Sequence, residues 1–245
     1  MSVFLKLAYL FFIGAVSGWV LELLFRRFIS AENPERKWIN PGFCTGPYLP
    51  LYGFGLCFLY LIASLEQHYM TENAVLGKVA LILIMGLVMT AIEYIAGILA
   101  LKVMKLRLWD YRREWGNIQG IICPRFSLIW TAVGALYYFF IHPHILEALS
   151  WLARNLAFSF VIGLFFGVFL VDVANSIQLV TKLRAYAKEN ELVVKLEAIK
   201  ADIRRYHDKT ALKYHFFRPF HSDKLLTEHL KNMRENFEVL RKRKR

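Results

Sequence analysis

The stretch FLKLAYLFFIGAVSGWVLELLF, residues 4–25, decides the class of fold. Its only charged residues are Lys6 near one end and Glu22 near the other. At about 1.5 Å per residue, a helix of this length reaches across a hydrocarbon core of roughly 30 Å. The run exceeds the apolar core of a typical signal peptide and leads into Glu22, Arg26 and Arg27 without a small-residue cleavage site, so it reads as a retained helix. Working outward, four further apolar runs follow: Leu49 to Leu65, Val79 to Leu101, Phe126 to Ile141, which is the shortest, and Leu156 to Val180. Of the 245 residues 57% are hydrophobic and 20% charged, an apolar excess over soluble domains of this size. The expected fold is an all-α, polytopic transmembrane bundle of about five spans, residues 1–181, followed by a basic cytoplasmic tail, residues 182–245, folded as a helical hairpin.

Lysine and arginine set the orientation, because positive residues close to a span resist translocation. Arg26, Arg27, Arg36 and Lys37 lie in the first loop, and Lys102, Lys105, Arg107, Arg112, Arg113 and Arg125 lie in or at the edge of the third. Only Lys6, Lys78 and Arg154 fall on the other side, while the tail from Lys182 holds most of the remaining positive charge. Five spans therefore put the amino terminus outside and the tail inside. The net charge of +12 follows from this topology and from attraction to anionic lipid, and no nucleic-acid partner is expected. Cys44, Cys57 and Cys123 form no CxxC pair, which suggests neither a disulfide framework nor a zinc site.

The two cytoplasmic loops resemble one another. In the first, Glu22, Arg26 and Trp38 precede Asn40-Pro-Gly-Phe-Cys-Thr-Gly-Pro47; in the second, Glu93, Arg107 and Trp109-Asp-Tyr111 precede Asn117-Ile-Gln-Gly-Ile-Ile-Cys-Pro124. Such a repeat would be parallel, and repeats of this kind often flank a transporter's pathway. In the tail, Leu192, Leu196, Ile199, Ile203 and Tyr206 recur at helical spacing, as do Leu226, Leu230, Met233, Phe237 and Leu240. Phe216-Phe-Arg-Pro219 and Ser222 read as a break and a new helix cap between two amphipathic helices, which pack on each other or on the loops, or dock on a partner or the membrane surface.

Glu22, Glu93 and Asp172 lie within apolar runs, where a charged side chain costs at least about 2.5 kcal/mol and faces protein or water. Packed together, their helices would gather three carboxylates around a cytoplasm-facing cavity able to bind a cation or share a proton. Each acid also has a structural reading. Glu22 precedes Arg26 by four residues, the favourable order for an intrahelical ion pair; Glu93 lacks a local partner; Asp172, with Asn175 and Ser176 one turn on, suits hydrogen bonds between helices. The segment Trp38 to Gly55 is too apolar for a solvated loop and too rich in proline and glycine for a regular helix. It reads as a re-entrant or vestibule-lining loop, or as interfacial packing of Trp38, Phe43 and Tyr48. Pro124 and Arg125 open a span after Asn117 and Gly120, placing a guanidinium where it meets an anion or snorkels to lipid phosphate.

No GxxxxGK[ST], HExxH or GxSxG pattern occurs, so the chain cannot cradle ATP by the usual loop, and its motifs weigh towards a role without catalysis. His142 and His144, with Glu147 nearby, are too few for a metal site and read as a surface turn around Pro143. No catalytic residue, cofactor or metal is assigned.

Gly18-Trp19 through Glu22, Asn40-Pro-Gly-Phe with Gly42, Gly46-Pro47, and Pro50-Leu-Tyr-Gly53 resemble the bacterial membrane proteins called putative ABC-transporter type IV, or CmpB-like. Glu93, Trp109-Asp110-Tyr111, Asn117 and Gly120 match that family's second cluster, and the resemblance covers roughly Phe4 to Gly134. The family commonly has an apolar residue where this chain has Cys44, a small departure at a packing position. The resemblance implies a permease-like subunit of the bacterial cell membrane and supplies no catalytic residues. With so few spans, a dimer and a separate ATPase subunit are the expected partners beside the bilayer. Two other readings compete. One is an enzyme acting on a lipid-linked substrate, with Glu22 or Glu93 as base and Arg26 or Arg125 holding a phosphate. The other is a scaffold or sensor whose tail recruits a cytoplasmic partner.

Overall fold

The first apolar run is one helix, α1, Val3–Phe28, in the computed structural model, which describes residues 1–30, 33–69, 74–189, 194–210, 216, 222, 224–226 and 228–231. Gly14 and Gly18 stand one turn apart on α1 and let α2, Pro50–Tyr69, come close. A Cβ at Gly14 would meet Leu56 and the Tyr52 carbonyl oxygen at 2.8 Å, and one at Gly18 would collide with the Tyr52 ring. Close approach of this kind is what small residues provide in a bilayer, where lipid competes equally for apolar side chains. Helix α3, Ala74–Ile98, passes into a π-helical turn, Leu99–Val103, and the chain leaves it through Lys105 at φ 56°.

Helix α4, Pro124–Leu136, begins after extended Cys123 with Pro124 in its first turn, where a missing N–H costs nothing. It continues through a π-helical turn, Tyr137–Ile141, into α5, His142–Arg154. The expected surface turn at Pro143 is thus corrected: Pro143 lies in the first turn of α5, and the shortest apolar run belongs to a helical stretch reaching from Pro124 to Arg154. Ile145, Leu149 and Leu152 recur on one side of α5 and are buried. A 3₁₀ turn, Leu156–Phe158, leads to α6, Ser159–Glu189, and α7, Leu196–Thr210, follows.

Among the described residues four helical stretches are long and apolar enough to cross a membrane: Val3–Phe28, Val75–Val103, Pro124–Arg154 and Leu156–Thr181. The run predicted at Leu49 to Leu65 is α2, whose apolar part, Pro50–Leu65, is shorter.

The chain forms two units. The first comprises Met1–Leu21, Tyr48–Ala96 and Asp110–Val171. Its aromatic residues interlock: Tyr48 packs edge-on to Phe165 and Phe169, and Phe11 meets Phe166 and Phe169. The second comprises Glu22–Pro47, Gly97–Trp109 and Asp172–Arg245. Here β1, Leu106–Arg107, pairs in parallel with β2, Val194–Lys195, and Leu106, Val180, Ile199, Ile203 and Leu230 form a core with Phe43 and Met104 packed against it. Helix α7 realises the first amphipathic pattern of the tail, with Leu196, Ile199 and Ile203 buried. Leu192, Met233, Phe237 and Leu240, on which the hairpin depends, lie outside the described residues.

Candidate functional site

Glu93 is 4% exposed and sits near the end of α3. Its two oxygens have different donors: Tyr111 Oη at 3.0 Å on Oε1 and Trp130 Nε1 at 2.9 Å on Oε2. Trp130 comes from α4, and Tyr111 from the loop between α3 and α4. That loop is self-bonded. Tyr111 N donates to the Gly120 carbonyl at 2.9 Å, Gly120 N donates to Asn117 Oδ1 at 3.0 Å, and Asn117 Nδ2 donates to the Glu114 carbonyl at 2.9 Å. Gly120, at φ 68°, takes the left-handed conformation that this return requires. Tyr111 stacks on Phe126 at 4.2 Å, and Trp130 packs edge-on to Tyr52, the residue that fills against Gly18. Gly18, Tyr52, Glu93, Tyr111 and Gly120, drawn from both motif clusters, therefore belong to one packed group in the first unit.

In the second unit the segment Asn40 to Gly46 is pinned at both ends. Asn40 is fully buried; its Oδ1 accepts from Gly42 N at 3.0 Å and its Nδ2 donates to the Thr45 carbonyl at 3.3 Å. Asp172 accepts from two successive amides, Thr45 N at 3.1 Å and Gly46 N at 2.8 Å. Lys200, 1% exposed on α7, donates from Nζ to the carbonyls of Asn40 at 3.0 Å and Gly42 at 2.9 Å. A buried ammonium and a buried carboxylate thus satisfy the carbonyl and amide sides of one irregular segment, which otherwise would leave polar backbone unmet. Pro47, next in the chain, is exposed. Burial pushes the Cys44 thiol up to about 11, the neighbouring Asp172 charge adds to the rise, and a hydrogen bond from Ser176 opposes it.

The remaining candidates have local partners. Arg26 Nε meets Glu22 Oε1 at 2.9 Å, the expected ion pair. Asp110 takes a two-pronged contact from Arg112, with both bonds at 2.8 Å, and Trp109 is half-buried at the end of the Gly97–Trp109 stretch. Arg125 lies 3.3 Å from Glu114 and is largely exposed. Each of the three acids has partners within its own unit: Glu22 has Arg26, Glu93 has Tyr111 and Trp130, and Asp172 has the amides of Thr45 and Gly46. The sequence reading missed Trp130 and Lys200, the first hidden in an apolar run and the second in a charged helix.

One further relay was not foreseen. His229, 1% exposed, faces Asp202 Oδ2 from Nδ1 at 2.8 Å and Ser222 Oγ from Nε2 at 2.9 Å. The order is that of a hydrolase triad. Ser222 Oγ also accepts from Lys224 N at 3.2 Å, a local serine turn ahead of the helical turn that Leu225 opens, whose carbonyl accepts from Glu228 N and His229 N. The relay ties α7 to the segment after it.

The four apolar helical stretches of spanning length among the described residues fit an α-helical membrane protein. The profile of the family described as putative ABC-transporter type IV matches residues 9–177. That is more than half of the chain, and the chain belongs to this family of ABC-transporter-related membrane proteins. The match extends past Gly134 to include Asp172 and stops before α7. Comparison with curated proteins and with solved structures finds no match.

Proposed function

We propose that the protein is a permease-like subunit that moves a small solute across the bacterial cytoplasmic membrane, energised by a separate ATPase. Glu93 carries the reading. A carboxylate in a span, enclosed by donors from a second span and from a loop, is expensive to place in a bilayer and marks a polar pathway or coupling site. The family description supports relation to ABC transporters, and since the sequence has no phosphate-binding loop the proposal assigns ATP hydrolysis to another chain. Two polar clusters are the proposed working parts: Glu93 with Asp110, Asn117 and Gly120, and Asn40, Gly42 and Gly46 with Asp172. The proposed topology has five spans, counting α2, with the amino terminus outside and residues 182–245 in the cytoplasm. A homodimer belongs to the proposal. On α6 Gly163 and Gly167 have GxxxG spacing, and a Cβ at either would meet nothing within 4 Å, which leaves room for a second helix.

The test is purification of tagged protein from its native membrane in mild detergent, followed by reconstitution. The expected results are a co-purifying ATPase and ATP-dependent solute uptake that Glu93→Gln abolishes. Neither an ATPase nor any flux would end the reading.

A scaffold or sensor role is favoured by one observation, the insertion of Lys200 of the tail into the Asn40 to Gly46 segment, which links the tail to the first motif. Capture of a cytoplasmic protein other than an ATPase, dependent on residues 182–245, would support it.

A further inference from the structure

We infer that the loop from Asp110 to Cys123 is an interfacial anchor that seats Trp115 among anionic phospholipid headgroups. The loop joins two helical stretches of spanning length, Val75–Val103 and Pro124–Arg154, so it lies where a bilayer surface would be. Trp115 is 86% exposed and Ile118 52% exposed. A large apolar pair left open on a solvated loop is unfavourable, whereas tryptophan at the headgroup level is favoured.

The backbone makes the seating inexpensive. Besides the Tyr111–Gly120 bond, Ile118 N donates to the Ile122 carbonyl, Ile121 N to the Ile118 carbonyl and Glu114 N to the Tyr111 carbonyl, each at 2.9 Å. Polar groups already satisfied within the loop lose little on leaving water. Gly116 at φ 64° and Gln119 at φ 55° fold the tip back on itself, so Trp115 and Ile118 project from a braced turn.

Charge selects the lipid. The two acids of the loop each have a cation, Asp110 with Arg112 and Glu114 with Arg125, while Arg113 is exposed and adds net positive charge beside Trp115. That arrangement complements phosphatidylglycerol-like headgroups, with arginine on phosphate and the indole at the glycerol level. The inference needs only that the chain spans a membrane and stands or falls separately from solute transport.

The experiment uses full-length protein in vesicles of phosphatidylcholine and phosphatidylglycerol, with and without lipids brominated near the headgroup end of the acyl chains. Subtracting the emission of Trp115→Phe from that of the unaltered protein isolates Trp115. An exposed ring makes few protein contacts, and unchanged thermal unfolding would verify that the variant folds. The expected difference emission is blue-shifted, roughly twofold quenched by the brominated lipid and resistant to aqueous iodide. Arg113→Gln, or removal of phosphatidylglycerol, should weaken the lipid quenching. Free access of iodide without lipid quenching would overturn the inference. So would protection of Trp115 only in the presence of a co-purified protein, which would reassign the loop to protein docking.

Discussion

Lys200 donates from Nζ to the carbonyl oxygen of Gly42 at 2.9 Å, across 158 positions of the chain. The same ammonium reaches the Asn40 carbonyl, and Asp172 holds the amides at the other end of the segment. A proline- and glycine-rich stretch with no ladder of its own is thereby given a fixed shape by two buried charges. The first motif depends for that shape on a residue outside the family match, which ends at residue 177.

Lys200→Met is expected to loosen this segment. Methionine roughly keeps the volume of the stem but cannot donate, so two buried carbonyls lose a partner, at about 1–3 kcal/mol for each such group. Cys44 reports the change, because it is buried within the segment and its thiol, pushed up to about 11, is neutral near pH 8. Alkylation by a water-soluble maleimide at that pH should rise several-fold at Cys44 in the variant. Cys57 and Cys123, buried in the first unit, should stay slow and serve as internal controls. Equal rates at Cys44 with and without Lys200 would show that the segment holds its shape unaided.

At Glu93 two substitutions separate fold from function. In Glu93→Gln the amide oxygen still accepts from Trp130 Nε1, and the amide N–H₂ donates to Tyr111 Oη, whose hydroxyl rotates to accept. The variant should unfold at nearly the original temperature while losing whatever depends on charge. Trp130→Phe removes one donor to the carboxylate, and a hydrogen bond to a charged group is worth about 1.5–3 kcal/mol, so this variant should be measurably less stable. Unfolding followed by Tyr and Trp fluorescence in detergent gives the comparison. A large stability loss in Glu93→Gln would mean that the charge itself holds the fold.

The contrast between these sites explains what was legible in the sequence. The Glu22–Arg26 pair is readable because its partners are four residues apart on one helix, a spacing that geometry forces into contact. Asp172 is not, because it binds backbone amides 126 and 127 residues away, and an amide N–H carries no residue-type signal. Trp130 looks like any aromatic residue of an apolar run. Pro143 misled for another reason, since proline marks both a turn and the first turn of a helix, and only the continuing chain distinguishes them. The apolar runs themselves showed plainly, because a bilayer demands contiguous apolar length, whereas the tail's contacts depend on partners far away in sequence.

Gly18→Ala should destabilise the first unit through a clash with one identifiable ring. The added Cβ meets the Cβ and Cγ of Tyr52, the inner part of that side chain, which cannot swing away as a flexible tip would. Overpacking of this kind costs about 1–3 kcal/mol. Tyr52→Ala alone should also destabilise, because it removes the packing on Trp130. The double variant should lose less than the sum of the two, since the first clash disappears with the ring. Additive losses in a double-mutant cycle would place the cost of Gly18→Ala in the α1 backbone instead.

His229 offers a test of the relay in the tail. It joins Asp202 on α7 to Ser222, with almost no exposure of its own. His229→Ala leaves Asp202 without this partner and opens a void beside Tyr206, whose ring stands edge-on to the imidazole at 5.3 Å. Unmet polar groups in such surroundings cost about 1–3 kcal/mol, so hydrogen exchange along Leu196–Thr210 should quicken, with Ser222→Ala giving a smaller effect because serine contributes only one bond to the ring. The serine's contacts are structural, one with the imidazole and one local turn on Lys224 N, and a fluorophosphonate probe should therefore leave it unlabelled. Labelling of Ser222 that disappears in Asp202→Asn would instead make it a nucleophile, since an orienting carboxylate matters to a catalytic histidine and not to a serine turn.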